Sequence, residues 1–174
     1  MKVKVTSYDA QWIVKFKEEA KKIQAILGDE LIAIHHFGST SVPGIQAKPI
    51  IDMMPVVRDI EKVDAFNEQM IDLGFEPFGE YGIRGRRYFR KGKDNRTHHV
   101  HMFQFDNAWE IDRHLAVRDY LRTHSEEAQA YGELKLKLAK QNPKDIEAYM
   151  SGKDAFVKEL EEKAMHWYKK VLKN

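Results

Sequence analysis

Residues 36–52 read His36-Phe37-Gly38-Ser39-Thr40-Ser41-Val42-Pro43-Gly44-Ile45-Gln46-Ala47-Lys48-Pro49-Ile50-Ile51-Asp52. The short apolar run from Leu31 to Phe37 that leads into them predicts a buried strand. From Gly38 to Gly44 the chain is too polar, and too broken by glycine and proline, for regular structure. Pro49 opens a second apolar run that ends at Val57, and its brevity and β-branched content predict a central strand. Pro55 has no N–H to give a ladder, which predicts that the far end of this strand lies on an edge or bulges. The stretch is therefore strand, small-residue turn, strand, with one acid inside the second strand. A carboxylate between Ile51 and Met53 costs free energy there unless it is paired, hydrogen-bonded or bound to a cation. At the turn, Gly38 lets the backbone approach a ligand closely, and Ser39 and Thr40 offer hydroxyl and N–H groups to phosphate oxygens. Lys48 is either a phosphate contact or the partner of a carboxylate.

Upstream, a short strand is expected at about residues 2–6. Trp12, Ile13, Phe16, Ala20, Ile23 and Leu27 then recur at helical spacing, so residues 10–27 read as an amphipathic helix stopped by Gly28. Downstream, Ile60, Val63, Phe66, Met70, Ile71 and Leu73 predict a helix closed by Gly74. Residues 75–78 and 87–90 form the arms of a basic hairpin joined through Gly79, Gly82 and Gly85, and residues 98–105 a further strand. Helical periodicity follows over 108–123 and 126–140. A short helix carries Ile146, Tyr149 and Met150, and a long one runs from Phe156 to Val171, with Gly152 as a candidate break. Trp12, Trp109 and Trp167 fit helix faces packed on a core. Strands first and helices afterwards make an α+β plan.

A chain of 174 residues suffices for one domain with a substantial core. Hydrophobic residues at 43% and charged residues at 32% exclude a disordered chain. No apolar run approaches the roughly 20 residues that a bilayer requires, so no membrane partner is expected, and without an export signal the expected compartment is the cytoplasm. The absence of cysteine excludes disulfides, thiolate catalysis and cysteine-rich zinc sites. The net charge of +2 says little, but its distribution says more. Between residues 82 and 101, Arg84, Arg86, Arg87, Arg90, Lys91, Lys93 and Arg96 are opposed only by Asp94. That imbalance suits an anionic ligand such as phosphate or nucleic acid, or a solvated hairpin.

The segment from His36 to Met54 resembles the signature of the GrpB family, a hydrophobic strand followed by GSTAVPG and AKPIID segments. The likeness extends over nearly the whole chain. It takes in Tyr8-Asp9 with Trp12, the hairpin residues Arg86-Arg87-Tyr88-Phe89-Arg90, the strand His99-Val100-His101 and the helix Val117-Arg118-Asp119-Tyr120-Leu121-Arg122. Tyr131, Lys135, Tyr149, Lys153 and Phe156 fall where later family positions are expected. The resemblance implies a single domain over residues 1–174. Residues 1–107 would form a nucleotidyltransferase-like core, a mixed sheet with flanking helices, and residues 108–174 a helical C-terminal part. In active nucleotidyltransferases a Gly-Ser turn cradles the triphosphate, and two acids at i and i+2 on a strand hold divalent metal. Gly38-Ser39 matches that turn and Asp52 the first acid. Met54 stands in the second place, and a thioether is a poor ligand for magnesium, which prefers oxygen.

Period-two geometry puts His99 and His101 on one face of their strand. With Asp52 they make a two-histidine, one-carboxylate set suited to zinc or manganese, a pair for acid–base chemistry, a hydrogen-bonding site for an anion, or a partly exposed strand that binds nothing. Arg118 and Arg122 are four residues apart and share a helix face that can grip phosphate, with a salt bridge to Asp119 as the alternative. Three functions follow. The first is a nucleotidyltransferase-like enzyme, or former enzyme, that binds a nucleotide or phosphorylated metabolite between the Gly38 turn, Asp52 and the His99–His101 strand. In it Ser39 and Lys48 contact phosphates, and Arg86 or Arg118 neutralises developing charge. The second is a non-catalytic binding module for a phosphate ligand or a partner. The fusion of family domains to dephospho-CoA kinase implies an association with coenzyme A biosynthesis. The third, an RNA-binding protein using the basic hairpin, is the least favoured, given the balanced charge and the lack of a known RNA motif.

Overall fold

The two apolar runs on either side of the Gly38–Pro49 loop pair as antiparallel strands, β1 (Leu31–Phe37) and β2 (Ile51–Val57), and the rest of a five-stranded sheet grows from β2. The computed structural model describes residues 3–173. Met1 and Lys2, where the expected first strand begins, lie outside them. Over residues 3–6 the chain forms an isolated bridge between Thr6 and Ala47 in place of a strand. The described residues divide into two compact units, one of residues 11–37 and 50–111, the other of residues 3–10, 38–49 and 112–173.

The first unit holds the sheet. Helix α1 (Gln11–Leu27) buries Trp12, Ala20, Ile23 and Leu27 at the predicted spacing and packs on β1 and β2. After β2 come a 3-10 stretch (Ile60–Phe66), α2 (Asn67–Asp72), β3 (Phe75–Pro77), β4 (Arg86–Lys91) and β5 (His98–Gln104). The strand order is β1-β2-β5-β4-β3, and β2 and β5 alone are parallel. A parallel pair requires a crossover, which residues 58–97 supply. Val57, Met53, Val100, Met102 and Phe103 have no exposed surface, and each such side chain contributes roughly 1.5–3 kcal/mol by leaving water.

Two expectations for this unit change. The single helix expected over residues 60–73 starts as 3-10 turns and becomes α-helical only at Asn67. Of the two alternatives for Pro55 the edge does not hold, for β2 lies between β1 and β5 and Pro55 pairs with Ile34 of β1. The far end of the strand is nonetheless irregular, with the β1–β2 register shifting between Leu31 and Ala33, opposite Val57 and Val56. The missing N–H is accommodated on the other side, where the β2–β5 register skips Met54 and Pro55. The glycine-rich hairpin forms as expected, with Gly79, Gly82 and Gly85 all at positive φ.

The second unit is helical. It comprises α3 (Ala108–Thr123) beyond its first turn, α4 (Ser125–Gln141), α5 (Ile146–Lys173) and the 38–49 segment. Val42 and Ile45 of that segment are buried with Ala116, Tyr120, Leu121, Ala128, Tyr131, Leu160 and Ala164 of the three helices. The two helices expected after Pro143 are one helix of 28 residues that runs straight through Gly152. A Cβ on Gly152 would stand 2.5 Å from Leu138 Cδ2, so this glycine makes room for α4 and does not end the helix. Of the three tryptophans, Trp12 is buried and Trp167 packs against the helical core, but Trp109 is 62% exposed, contrary to the expectation of a packed face.

Candidate functional site

Asp52 reaches the histidines through strand register. β2 and β5 run parallel with Asp52 opposite His99 and Met53 opposite Val100. Alternation then sends Val100 and Met102 into the core and leaves His99 and His101 on the face that Asp52 shares. Asp52 Oδ1 lies 3.6 Å from His99 Nδ1 and 3.6 Å from His101 Nε2. All three side chains are partly sheltered, at 26%, 15% and 14% exposure. Met54, two residues along from Asp52, is fully buried and adds no oxygen.

Neighbouring strands wall this cluster. Phe37 of β1 is the register partner of Asp52, and its ring meets the His101 ring edge-on at 5.1 Å. On the other side Tyr88 of β4 lies opposite His101, with ring centroids 5.0 Å apart, and 5.8 Å from His99. Burial raises the Tyr88 hydroxyl pKa above its ordinary value, and the Asp52 charge acts in the same direction, against the lowering pull of Arg90. Arg90 bonds the Tyr88 hydroxyl through Nε at 3.2 Å and lies over the rings of Phe78, Tyr81 and Tyr88.

Arg86 is only 6% exposed. Its Nε donates to Glu80 O at 3.1 Å, Nη2 to Tyr81 O at 2.7 Å, and Nη1 to His101 Nδ1 at 3.3 Å. Of the other basic hairpin residues, Arg87 bonds Asp64 at 2.8 Å and Lys91 bonds the buried Glu19 at 2.7 Å. Part of the positive charge legible in the sequence, that on Arg87 and Lys91, is thus paired with acids within the unit.

Asp52, His99 and His101 are the one group of three or more metal-ligating side chains found among the described residues, their ligand atoms all within 4.8 Å of one another. Two ligands at 2.0–2.2 Å from a tetrahedral ion stand roughly 3.4 Å apart, so the 3.6 Å separations match a shared cation in spacing. They are too short to hold an oxygen on the line between the carboxylate and an imidazole, so a small polar group would bond both from beside them.

The other sequence candidates belong to the helical unit. Gly38 has φ +72° and ψ −174° and leads into a single 3-10 turn, Ser39–Ser41. Ser41 Oγ closes that turn by donating to Gly38 O at 2.5 Å, and Thr40 is buried. Arg122 Nε donates to Ser41 O at 3.0 Å, tying α3 to the turn. Arg118 makes the salt bridge to Asp119 at 2.8 Å, the alternative set out for it above, and Arg122 Nη1 lies 4.0 Å from the same carboxylate. Partial burial, aided by Arg118, lowers the Arg122 pKa from its ordinary value. Lys48 lies 5.3 Å from the ring centroid of the buried Tyr149.

Lys135 carries more than the sequence reading assigned to it. It is 2% exposed, donates to Ser39 Oγ, and has Nζ 4.4 Å from the Tyr131 ring centroid. The four-residue spacing from Tyr131 was visible on the expected helix. The partner 96 residues away was not.

Comparison with known proteins gives a consistent result. The family model described as GrpB protein matches residues 2–163. The UPF0157 protein YqkA of Bacillus subtilis is 51% identical over 97% of this chain, which spans only 49% of that relative's length. The crystal structure of conserved protein GrpB from Enterococcus faecalis superposes with a TM-score of 0.93 at 48% identity, covering 95% of this chain and 99% of that one. Cid1 in complex with the UTP analog UMPNPP matches at a TM-score of 0.51 and 15% identity, over 77% of this chain and 42% of its own, a likeness of fold alone.

Proposed function

Since the chain belongs to the GrpB family, we propose that it is a nucleotidyltransferase-like protein that binds a nucleotide or phosphorylated metabolite, with Asp52 as its acidic centre. The observation that carries this reading is the convergence of Asp52, His99 and His101 on one sheltered face of the sheet. Such a cluster serves either a divalent cation (magnesium, manganese or zinc) or hydrogen bonding and proton transfer at the ligand. Asp52 and His99 are the protein's candidate ligands for a cation, which when bound would neutralise phosphate charge. In the helical unit Gly38, Ser39, Thr40, Lys48, Arg118 and Arg122 are the proposed phosphate contacts, joined by Lys135. Arg86 has its N–H groups engaged within the sheet unit and serves better as a support for His101 than as a phosphate contact.

The likeness of fold to Cid1, whose structure holds a UTP analog, supports a nucleotide as the ligand class. Calorimetric titration with the four ribonucleoside triphosphates, each with magnesium or manganese, tests it. Binding in at least one combination, weakened by Asp52→Asn, is expected. Absence of binding in every combination removes the reading.

Met54 favours a second reading, a non-catalytic module for a phosphate-bearing ligand or a partner, with an association with coenzyme A biosynthesis as one setting. A strand that offers one carboxylate and a buried thioether lacks the oxygen pair that two magnesium ions require. Ligand binding that survives Asp52→Asn, with no turnover of any bound nucleotide, would select this reading over an enzyme.

A further inference from the structure

A guanidinium has five N–H donors and no acceptor. Arg86 Nη1, 3.3 Å from His101 Nδ1, is therefore the donor, and Nδ1 presents its lone pair. A neutral imidazole bonded in this way carries its proton on Nε2, the atom that faces Asp52 Oδ1 at 3.6 Å. Metals bind imidazole through an unprotonated nitrogen. Spacing alone would make His101 a third ligand, and its tautomer opposes that.

We infer that Arg86 is a positioning residue that fixes His101 as a hydrogen-bond donor beside Asp52, so that the pair receives a hydroxyl group, not a three-ligand cation. The inference rests on the reading of this cluster as the ligand-binding centre. The 3.6 Å gap is longer than the 2.7–3.2 Å of a direct N–H to oxygen bond, and a hydroxyl oxygen placed beside the two groups, off the line that joins them, reaches both. A hydroxyl has one proton to give to Asp52 Oδ1 and lone pairs to accept from His101 Nε2–H, which matches a sugar hydroxyl or a water molecule. A cation in the same place keeps Asp52 and His99 as its protein ligands.

The hairpin is built to hold Arg86 in this role. Two of its donors are committed to the carbonyls of Glu80 and Tyr81, and its guanidinium carbon lies 4.7 Å from the centroid of the Tyr88 ring. Tyr81 has φ +47°, a left-handed conformation uncommon outside glycine, and this turns its carbonyl toward Arg86. Gly85, at φ +82°, donates its N–H to Glu80 Oε2 at 2.6 Å and closes the same loop. Swinging Arg86 away to free Nδ1 would give up two part-buried hydrogen bonds to the Glu80 and Tyr81 carbonyls.

The test reads the tautomer directly. Long-range proton–nitrogen NMR of the wild-type protein with labelled histidine is expected to show His101 protonated at Nε2 and bare at Nδ1. A proton on Nδ1 overturns the inference. Zinc titration provides the second arm. His99→Gln should weaken zinc binding by roughly tenfold or more, whereas His101→Gln should change it by less than about twofold. Equal losses overturn the inference. Arg86→Met should shift His101 toward the Nδ1–H form and tighten zinc about tenfold; if that variant does not fold, the wild-type spectrum and the two histidine variants still decide. Nucleotide calorimetry on the same sample keeps the two readings apart. An Nε2–H His101 in a protein that binds no nucleotide sinks the proposed function and leaves the tautomer assignment standing. An Nδ1–H His101 in a protein that binds nucleotide does the reverse.

Discussion

At Gly38 the backbone takes φ +72° with ψ −174°, a region that side-chain-bearing residues occupy only under strain of about 1–3 kcal/mol. Gly38→Ala should therefore lower stability by about that amount in urea denaturation, and an unchanged midpoint would show that the turn tolerates a Cβ. His98 behaves differently from the two histidines that follow it. It points into the core, donates or accepts at Thr97 Oγ1 at 2.8 Å through Nδ1, and has no hydrogen-bond partner for Nε2 among the described residues. Burial lowers its pKa from the ordinary 6.5, with Glu19 pulling the other way and Lys91, Lys15 and Lys22 adding to the lowering. The folded state then binds fewer protons at His98 than the unfolded chain does, so its contribution to stability is present above about pH 6.5 and lost as pH falls below it. Thermal midpoints followed from neutral pH into acid should fall less steeply for His98→Gln than for the wild type. Parallel curves would remove His98 as a source of acid sensitivity.

At the scale of elements, α4 and α5 meet through a glycine. Gly152→Ala gains up to about 1 kcal/mol of helix propensity, but its Cβ would press on Leu138 Cδ2 at 2.5 Å, and overpacking of this kind costs about 1–3 kcal/mol. The clash should win, and Gly152→Ala should destabilise the protein. In a Leu138→Ala background the same change should stabilise it by up to about 1 kcal/mol, a coupling that a double-mutant cycle in urea measures. The same effect in both backgrounds would show that α5 does not depend on this close approach. The basic hairpin makes a related point. Its composition, arms and glycine turns were legible in the sequence, but the acids that pair with it come from distant segments. Asp64 lies in the 3-10 stretch and Glu19 in α1, so the apparent anion surface is in part a set of internal ion pairs.

For the whole molecule, a ligand that binds only the folded state at 100 times its dissociation constant stabilises by about 2.7 kcal/mol. For a chain of this size that is roughly a 5–11 °C rise in melting temperature. A nucleotide that binds Asp52 and its neighbours should produce such a rise, and Asp52→Asn should reduce it; a shift that Asp52→Asn leaves intact would place the ligand elsewhere. Local periodicity was enough to determine the β1–turn–β2 unit, the helices read at 108–123 and 126–140, and the shared face of His99 and His101, because side-chain direction in a strand or helix depends only on near neighbours. It was also enough to mark Asp52 as an acid in need of a partner. The tertiary structure alone decided which partner. The parallel β2–β5 register sets Asp52 opposite His99, the β4–β5 register lets Arg86 reach His101, and α4 delivers Lys135 to Ser39. Those pairings join residues 15 to 96 positions apart, and no local spacing rule specifies them, since register and packing are set by how the whole chain buries its apolar faces.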